Sequence, residues 1–137
     1  MSFRRLIPLL LPLAYMGGSH ALSSIPGDPA QIPKGLEIML WVPPNWQNVL
    51  HVPVYAGLAW LWRWALSGLI RTALPAVLLA ILLTVGFGIF DEWYQLSVPG
   101  RYASVTDALL DVAGALLGAL LGHRSSVRSS LALNKPQ

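Results

Sequence analysis

The sequence predicts an all-α integral membrane protein, a four-helix bundle forming one membrane domain over residues 1–137 with both termini on the cytoplasmic side. Three observations carry this. Hydrophobic residues make up 55% of the chain and charged residues only 11%, less than half the roughly 25% of soluble globular proteins, and too little to cover a water-facing surface. Formal charges are absent between Leu6 and Gly27, between Ile38 and Trp62, and between Thr72 and Phe90, and about 20 apolar helical residues span a hydrocarbon core of roughly 30 Å. With the N-terminus inside, seven of the nine basic residues (Arg4, Arg5, Arg63, Arg71, Arg124, Arg128 and Lys135) fall on the cytoplasmic side, leaving Lys34 and Arg101 outside. That is the bias that orients membrane helices.

The first helix is expected over about 5–22. A competing reading takes Arg4, Arg5 and the apolar run as a secretory signal cleaved after Ser19-His20-Ala21. Pro8 and Pro12 inside the run fit a continuous signal helix poorly, so the helix is expected to be retained. The segment 23–47 holds Pro26, Pro29, Pro33, Pro43 and Pro44 and reads as an outer loop, with a short interfacial turn over Leu36–Val42. The second helix, about 48–66, ends in Trp60, Trp62 and Trp64 around Arg63, the pattern of an inner aromatic belt with a snorkelling arginine. The third, about 73–94, carries Pro75 in its first turn, where a missing N–H costs nothing. The fourth reaches spanning length only as 105–122, which forces Asp107 and Asp111 into the helix, and a polar cytoplasmic tail follows over 123–137.

This topology gathers the polar residues at one end. His51 and Tyr55 lie four apart at the outer end of the second helix, Asp91 and Gln95 four apart at the outer end of the third with Glu92 beside them, and Asp107 and Asp111 four apart on the fourth. Residues four apart share a helix face. Arg101 lies in the connecting loop, after Pro99-Gly100, a tight-turn dipeptide. Asp111 is six residues after Val105, about 9 Å along the axis at 1.5 Å per residue. A lipid-exposed carboxylate at the bilayer centre costs at least about 2.5–3.5 kcal/mol, so Asp111 should face protein or a water-filled cavity.

Each of these residues also has a plainer role. Ser104-Val105-Thr106-Asp107 has capping-box spacing, and Arg101 has vestibule acids to pair with. Tyr55 and Trp93 suit an outer aromatic belt. Gly114, Gly118 and Gly122 allow a close helix approach, within the chain or in a homo-oligomer through Gly114 and Gly118. Asp111 as interhelical glue would be worth about 0.6 kcal/mol on average, a weak reason to place an acid there.

Several chemistries are set aside. Without cysteine there is no disulfide, thiolate metal site or thiol nucleophile. Neither a His-Glu-x-x-His metal motif nor a Gly-x-Ser-x-Gly elbow occurs, so no metal and no cofactor are expected and no catalytic residue is assigned. The net charge of +3 comes from basic residues divided among separate cytoplasmic segments, which argues against nucleic acid.

The run Asp91-Glu92-Trp93-Tyr94-Gln95, then Val98-Pro99-Gly100-Arg101, Ser104, Asp107 and Gly114 through Gly118, resembles the signature of the VanZ-like family. His51-Val52-Pro53-Val54-Tyr55 resembles its His-x-x-x-Tyr element, and Ser23-Ser24 its serine pair after the first helix. Two positions depart from the family pattern: Gln47-Asn48 stands where an Asp-Lys pair is usual, and Asp111 where an asparagine is usual. The resemblance implies a small multi-pass protein of the bacterial cell membrane, with a relative associated with teicoplanin resistance. The expected function is a non-enzymatic envelope module. Its outer vestibule of His51, Tyr55, Asp91, Glu92, Gln95, Arg101, Asp107 and Asp111 would bind the polar head of a lipid or other amphiphile. The alternative is a membrane-embedded enzyme acting on a lipid-linked envelope intermediate, with paired carboxylates and His51 serving as general acid and base or holding a divalent cation.

Overall fold

A computed structural model describes residues 6–36 and 44–133, with side chains over 6–36 and 48–123. Arg4, Arg5, most of the turn expected over 36–42, and the side chains of Gln47, Arg124, Arg128 and Lys135 lie outside the described residues. What is described is all-helical: a 3-10 turn at Ile7–Leu9 leads into α1 (Leu10–Ser23), followed by α2 (Pro44–Ser67), α3 (Ala73–Gln95) and α4 (Val105–Leu133). No strand occurs among the described residues. The helix expected over 5–22 is thus shorter as a regular α-helix. Pro8 occupies the 3-10 turn and Pro12 the first turn of α1, the places where a helix tolerates a residue without an N–H.

The other boundaries have local causes. Pro44 opens α2, and Pro53 lies within it. Thr72 holds an extended conformation before α3, with Pro75 in the first turn. Ser104 caps α4, its hydroxyl accepting the Asp107 N–H at 3.3 Å. α4 does not end near residue 122 as the sequence suggested but runs to Leu133, because no proline intervenes before Pro136 and the intervening serines, arginines and leucines continue a helix without penalty large enough to stop it. Val98-Pro99-Gly100-Arg101 forms the expected tight turn, closed by Arg101 N–H donating to the Val98 carbonyl at 3.1 Å. Gly100 has φ +73°, which fits the third position of a type II turn. The Gly27 N–H donates to the Pro99 carbonyl at 2.9 Å, tying the loop after α1 to the loop after α3.

α2, α3 and α4 pack against one another, with α2 and α4 in the most intimate contact, and α1 lies against α2 and α3. The α2–α4 seam is made of small residues: Ala59, Ala115 and Ala119 are fully buried, and Gly114 and Gly118 face the main chain of Val52 and Ala56. The face bearing these two glycines is therefore taken by α2 of the same chain. Large side chains lie outside instead, with Leu74, Leu82 and Trp93 of α3 each more than 65% exposed and Leu109, Leu116, Leu117, Leu120 and Leu121 exposed along α4. Small residues inside and leucine outside is the arrangement of helices that associate by close backbone approach in lipid. By length and composition, α3 and the Val105–His123 part of α4 are long and apolar enough to cross a membrane.

The tryptophan-rich end of α2 differs from its expected form. Trp60 and Trp64, four apart, are exposed, but Trp62 and Arg63 are buried, Arg63 to 4% exposure. Successive helical residues point about 100° apart, so one belt cannot hold all of them. Gly122 leaves room for the Arg63 stem, whose Cβ and Cγ occupy the space a side chain there would need. Arg63 packs inward rather than snorkelling.

Candidate functional site

The C-terminal ends of α1 and α3 and the N-terminal ends of α2 and α4 meet at one end of the molecule, where two histidine–aspartate pairs form. In the first, His20 Nδ1 lies 3.0 Å from Asp91 Oδ1. Asp91 Oδ2 also accepts from the Ser23 hydroxyl at 2.5 Å and the Gln95 amide at 3.2 Å. Three donors around a carboxylate buried to 3% exposure leave it well satisfied. They come from α1 and α3, so the pair fastens the first helix to the third. Tyr15 adds a second fastening, donating to the Val54 carbonyl of α2 at 3.1 Å.

The second pair is built differently. His51 Nδ1 lies 2.7 Å from Asp111 Oδ1, and the His51 ring stacks on Tyr55 with centroids 5.9 Å apart and planes 6° apart. Asp111 is 2% exposed and faces the protein interior. It has that place because Gly88 of α3 lies opposite: a Cβ on Gly88 would come within 2.8 Å of Asp111 Oδ2 and 3.1 Å of the Tyr55 ring. Glu92 turns toward α4, its Oε2 accepting the Ser104 N–H at 2.7 Å. The capping box is therefore split between two helices. Ser104 caps the Asp107 N–H as its spacing predicted, but the reciprocal acceptor for the Ser104 N–H is Glu92. Glu92 Oε1, Asp107 Oδ1 and Asp111 Oδ2 are buried without a hydrogen-bond partner among the described residues.

Of the eight residues read from the sequence, His51, Tyr55, Glu92, Asp107 and Asp111 come together around this second pair. Tyr55 is 4% exposed and so is no belt residue, whereas Trp93 points outward. Asp91 and Gln95 sit one step away, committed to His20 and Ser23. Arg101 has no acid as a partner among the described residues. Its guanidinium donates to the carbonyls of Ile25 at 3.1 Å and Leu22 at 3.4 Å. The carbonyl end of a helix is partly negative, and Arg101 places its charge against the main chain at and just beyond the end of α1.

His20, Ser23 and Gly88 were not read as site residues. In the sequence His20 is part of a cleavage-like tripeptide and Ser23 half of a serine pair, and neither has a spacing that announces a partner 68 to 71 residues away. Two apolar recesses flank the cluster. A groove of about 420 Å³ between α1 and α3 is lined by Met16, Gly17, His20, Gly86, Phe87 and Phe90. A slot of about 180 Å³ between α3 and α4 is lined by Val85, Ile89, Ala108, Leu109 and Val112 and reaches Asp111.

A model of the VanZ/LLP1 family matches residues 5–125 of the chain. No curated protein and no solved structure matches it.

Proposed function

The chain belongs to the VanZ/LLP1 family, and on that premise we propose that it is a multi-pass protein of the bacterial plasma membrane that binds an amphiphile at its outer face without catalysing a reaction. Four spans with both termini in the cytoplasm put the two histidine–aspartate pairs on the outside. The observation that carries the reading is the slot between α3 and α4, apolar along its walls, which has Asp111, otherwise buried, among its lining residues. A recess with that polarity suits a ligand whose tail lies among lipid chains and whose head carries hydroxyl or amide donors. The acceptor nearest such a head is Asp111, the acid among the slot's lining residues, whose Oδ2 has no hydrogen-bond partner among the described residues. Arg101, held by the main-chain carbonyls of Ile25 and Leu22, is left out of the ligand-binding set.

An amphiphile taken up from the outer face would alter how lipid-tailed glycopeptides of the teicoplanin type act on the envelope. The test is expression of the full chain in a sensitive bacterium, with inhibitory concentrations measured across envelope-targeting antibiotics. Wild type is expected to raise the concentration needed for lipoglycopeptides, and Asp111→Leu and Glu92→Gln, at matched membrane abundance, to lose that effect. Variants that protect as well as wild type would remove the vestibule from the explanation.

A further inference from the structure

The acids at the second pair differ from Asp91 in what surrounds them. Asp91 has three donors, while Glu92, Asp107 and Asp111, at 7%, 9% and 2% exposure, each keep one buried oxygen with no partner among the described residues. Leaving buried carboxylate oxygens bare is costly, and a positive charge placed among the three would offset that cost. His51, Glu92 and Asp107 each present a ligand atom, and the three atoms lie within 4.8 Å of one another. Ligands about 2.1 Å from an ion in a tetrahedral site stand about 3.4 Å apart, so small side-chain rotations, drawing the atoms in by about 1.4 Å at most, would close the shell. The remaining acid is also placed as such a site requires. Asp111 holds His51 by Nδ1, and an imidazole donating from Nδ1 to a carboxylate carries its lone pair on Nε2, the oriented form in which histidine binds metals.

We propose that His51, Glu92 and Asp107 bind a divalent metal ion, with Asp111 as the residue that positions His51. One imidazole nitrogen and two carboxylates favour a first-row ion such as Zn²⁺ or Mn²⁺ over Mg²⁺ or Ca²⁺. Three protein ligands leave a coordination position for water or a ligand atom. No local motif announces the site because the ligands come one each from α2, α3 and α4, separated by 41 and 15 residues. The sequence expectation of no metal rested on the absence of such a motif. The proposal goes beyond the amphiphile reading and stands apart from it, since its test reads bound metal and not susceptibility.

The full chain, carrying an affinity tag without histidines, is purified in detergent, stripped with EDTA, incubated with Zn²⁺ or Mn²⁺, desalted and analysed for metal by mass spectrometry. Wild type is expected to retain about one ion per chain. His51→Ala, Glu92→Gln and Asp107→Asn should retain about a tenth of that or less, and Asp111→Asn should bind about 10- to 100-fold more weakly. Asp28→Asn, at a half-buried acid that lies outside the cluster and caps the 3-10 turn Pro29–Gln31, should bind as wild type does. Cobalt substitution gives a second readout in the wild-type chain: visible ligand-field absorption that reports a bound, low-coordinate ion and disappears when Zn²⁺ displaces it. Wild-type protein that retains neither ion, or ligand variants that bind as wild type does, would overturn the proposal. The wild-type stoichiometry decides it even if a variant misfolds.

Discussion

Substituting Gly118 by alanine tests the packing that positions the whole site. A Cβ there would overlap the Ala56 carbonyl oxygen and come within 2.6 Å of its carbonyl carbon and 2.7 Å of its Cα. Carbon atoms in contact rest about 3.5–4.0 Å apart, so α2 and α4 must separate locally by about 1 Å. The obstacle is main chain, which cannot rotate away as a side chain can. Overpacking of this kind costs about 1–3 kcal/mol, and replacing a helical glycine returns about 0.5–1 kcal/mol of backbone entropy. The net expectation is a loss of about 1–2 kcal/mol, or roughly 4–8 °C in melting temperature for a chain of this size. Gly86→Ala is the matched control, because a Cβ on Gly86 of α3 meets nothing within 4 Å. It should be neutral or stabilising. Thermal unfolding of detergent-purified protein, followed by helical circular dichroism, reads both. A Gly118→Ala protein that melts at or above wild type, or a Gly86→Ala protein that loses as much, would show that the α2–α4 seam is not packed as described.

Asp111→Asn, which keeps size and hydrogen bonding, should insert and protect nearly as wild type does. Asp111→Leu should insert at least as well because it removes an acid from the apolar zone, yet lose protection; full protection at normal yield would end the functional reading of this residue. Asp91→Leu removes the acceptor of His20, Ser23 and Gln95, and at about 1–3 kcal/mol for buried polar groups left unpaired it should loosen α1. Limited proteolysis in detergent should then cut within the loop after Ser23 faster than in wild type, and unchanged protection from protease would contradict the fastening role. Intact-mass analysis of membrane-purified protein should find residues before Leu22 still attached, since cleavage after Ala21 would remove the His20 that Asp91 binds. A reporter active only in the periplasm should be silent when fused after Gln137 and active when inserted near Gly100; the reverse pattern would place the vestibule on the wrong side of the membrane.

Four helices without strands could be read from the residue order alone, because the signals are local. A charge-free apolar run long enough to span lipid, a proline in a first turn and a serine three residues before an acid each act within one or two helical turns. The family was legible for the same reason, through the contiguous Asp91–Gln95 and Val98–Arg101 runs. The inward placement of Asp111 followed from the cost of the alternative. Which acid each histidine would choose did not, since His51 bonds across 60 residues and His20 across 71, and no spacing within a helix encodes such a meeting. Arg101 shows the limit most clearly: as a charge it belonged among acids, but the main-chain carbonyls of Leu22 and Ile25 were a competing partner that came within reach only once the loops had met at Gly27 and Gly100. Arg63 shows it again, drawn inward by space that Gly122 provides from another helix. Composition and periodicity determine which segments become helices and which residues must avoid lipid. The partner that satisfies each buried polar group is decided by rotation and register between helices, and these depend on small residues whose effect appears only when two backbones touch.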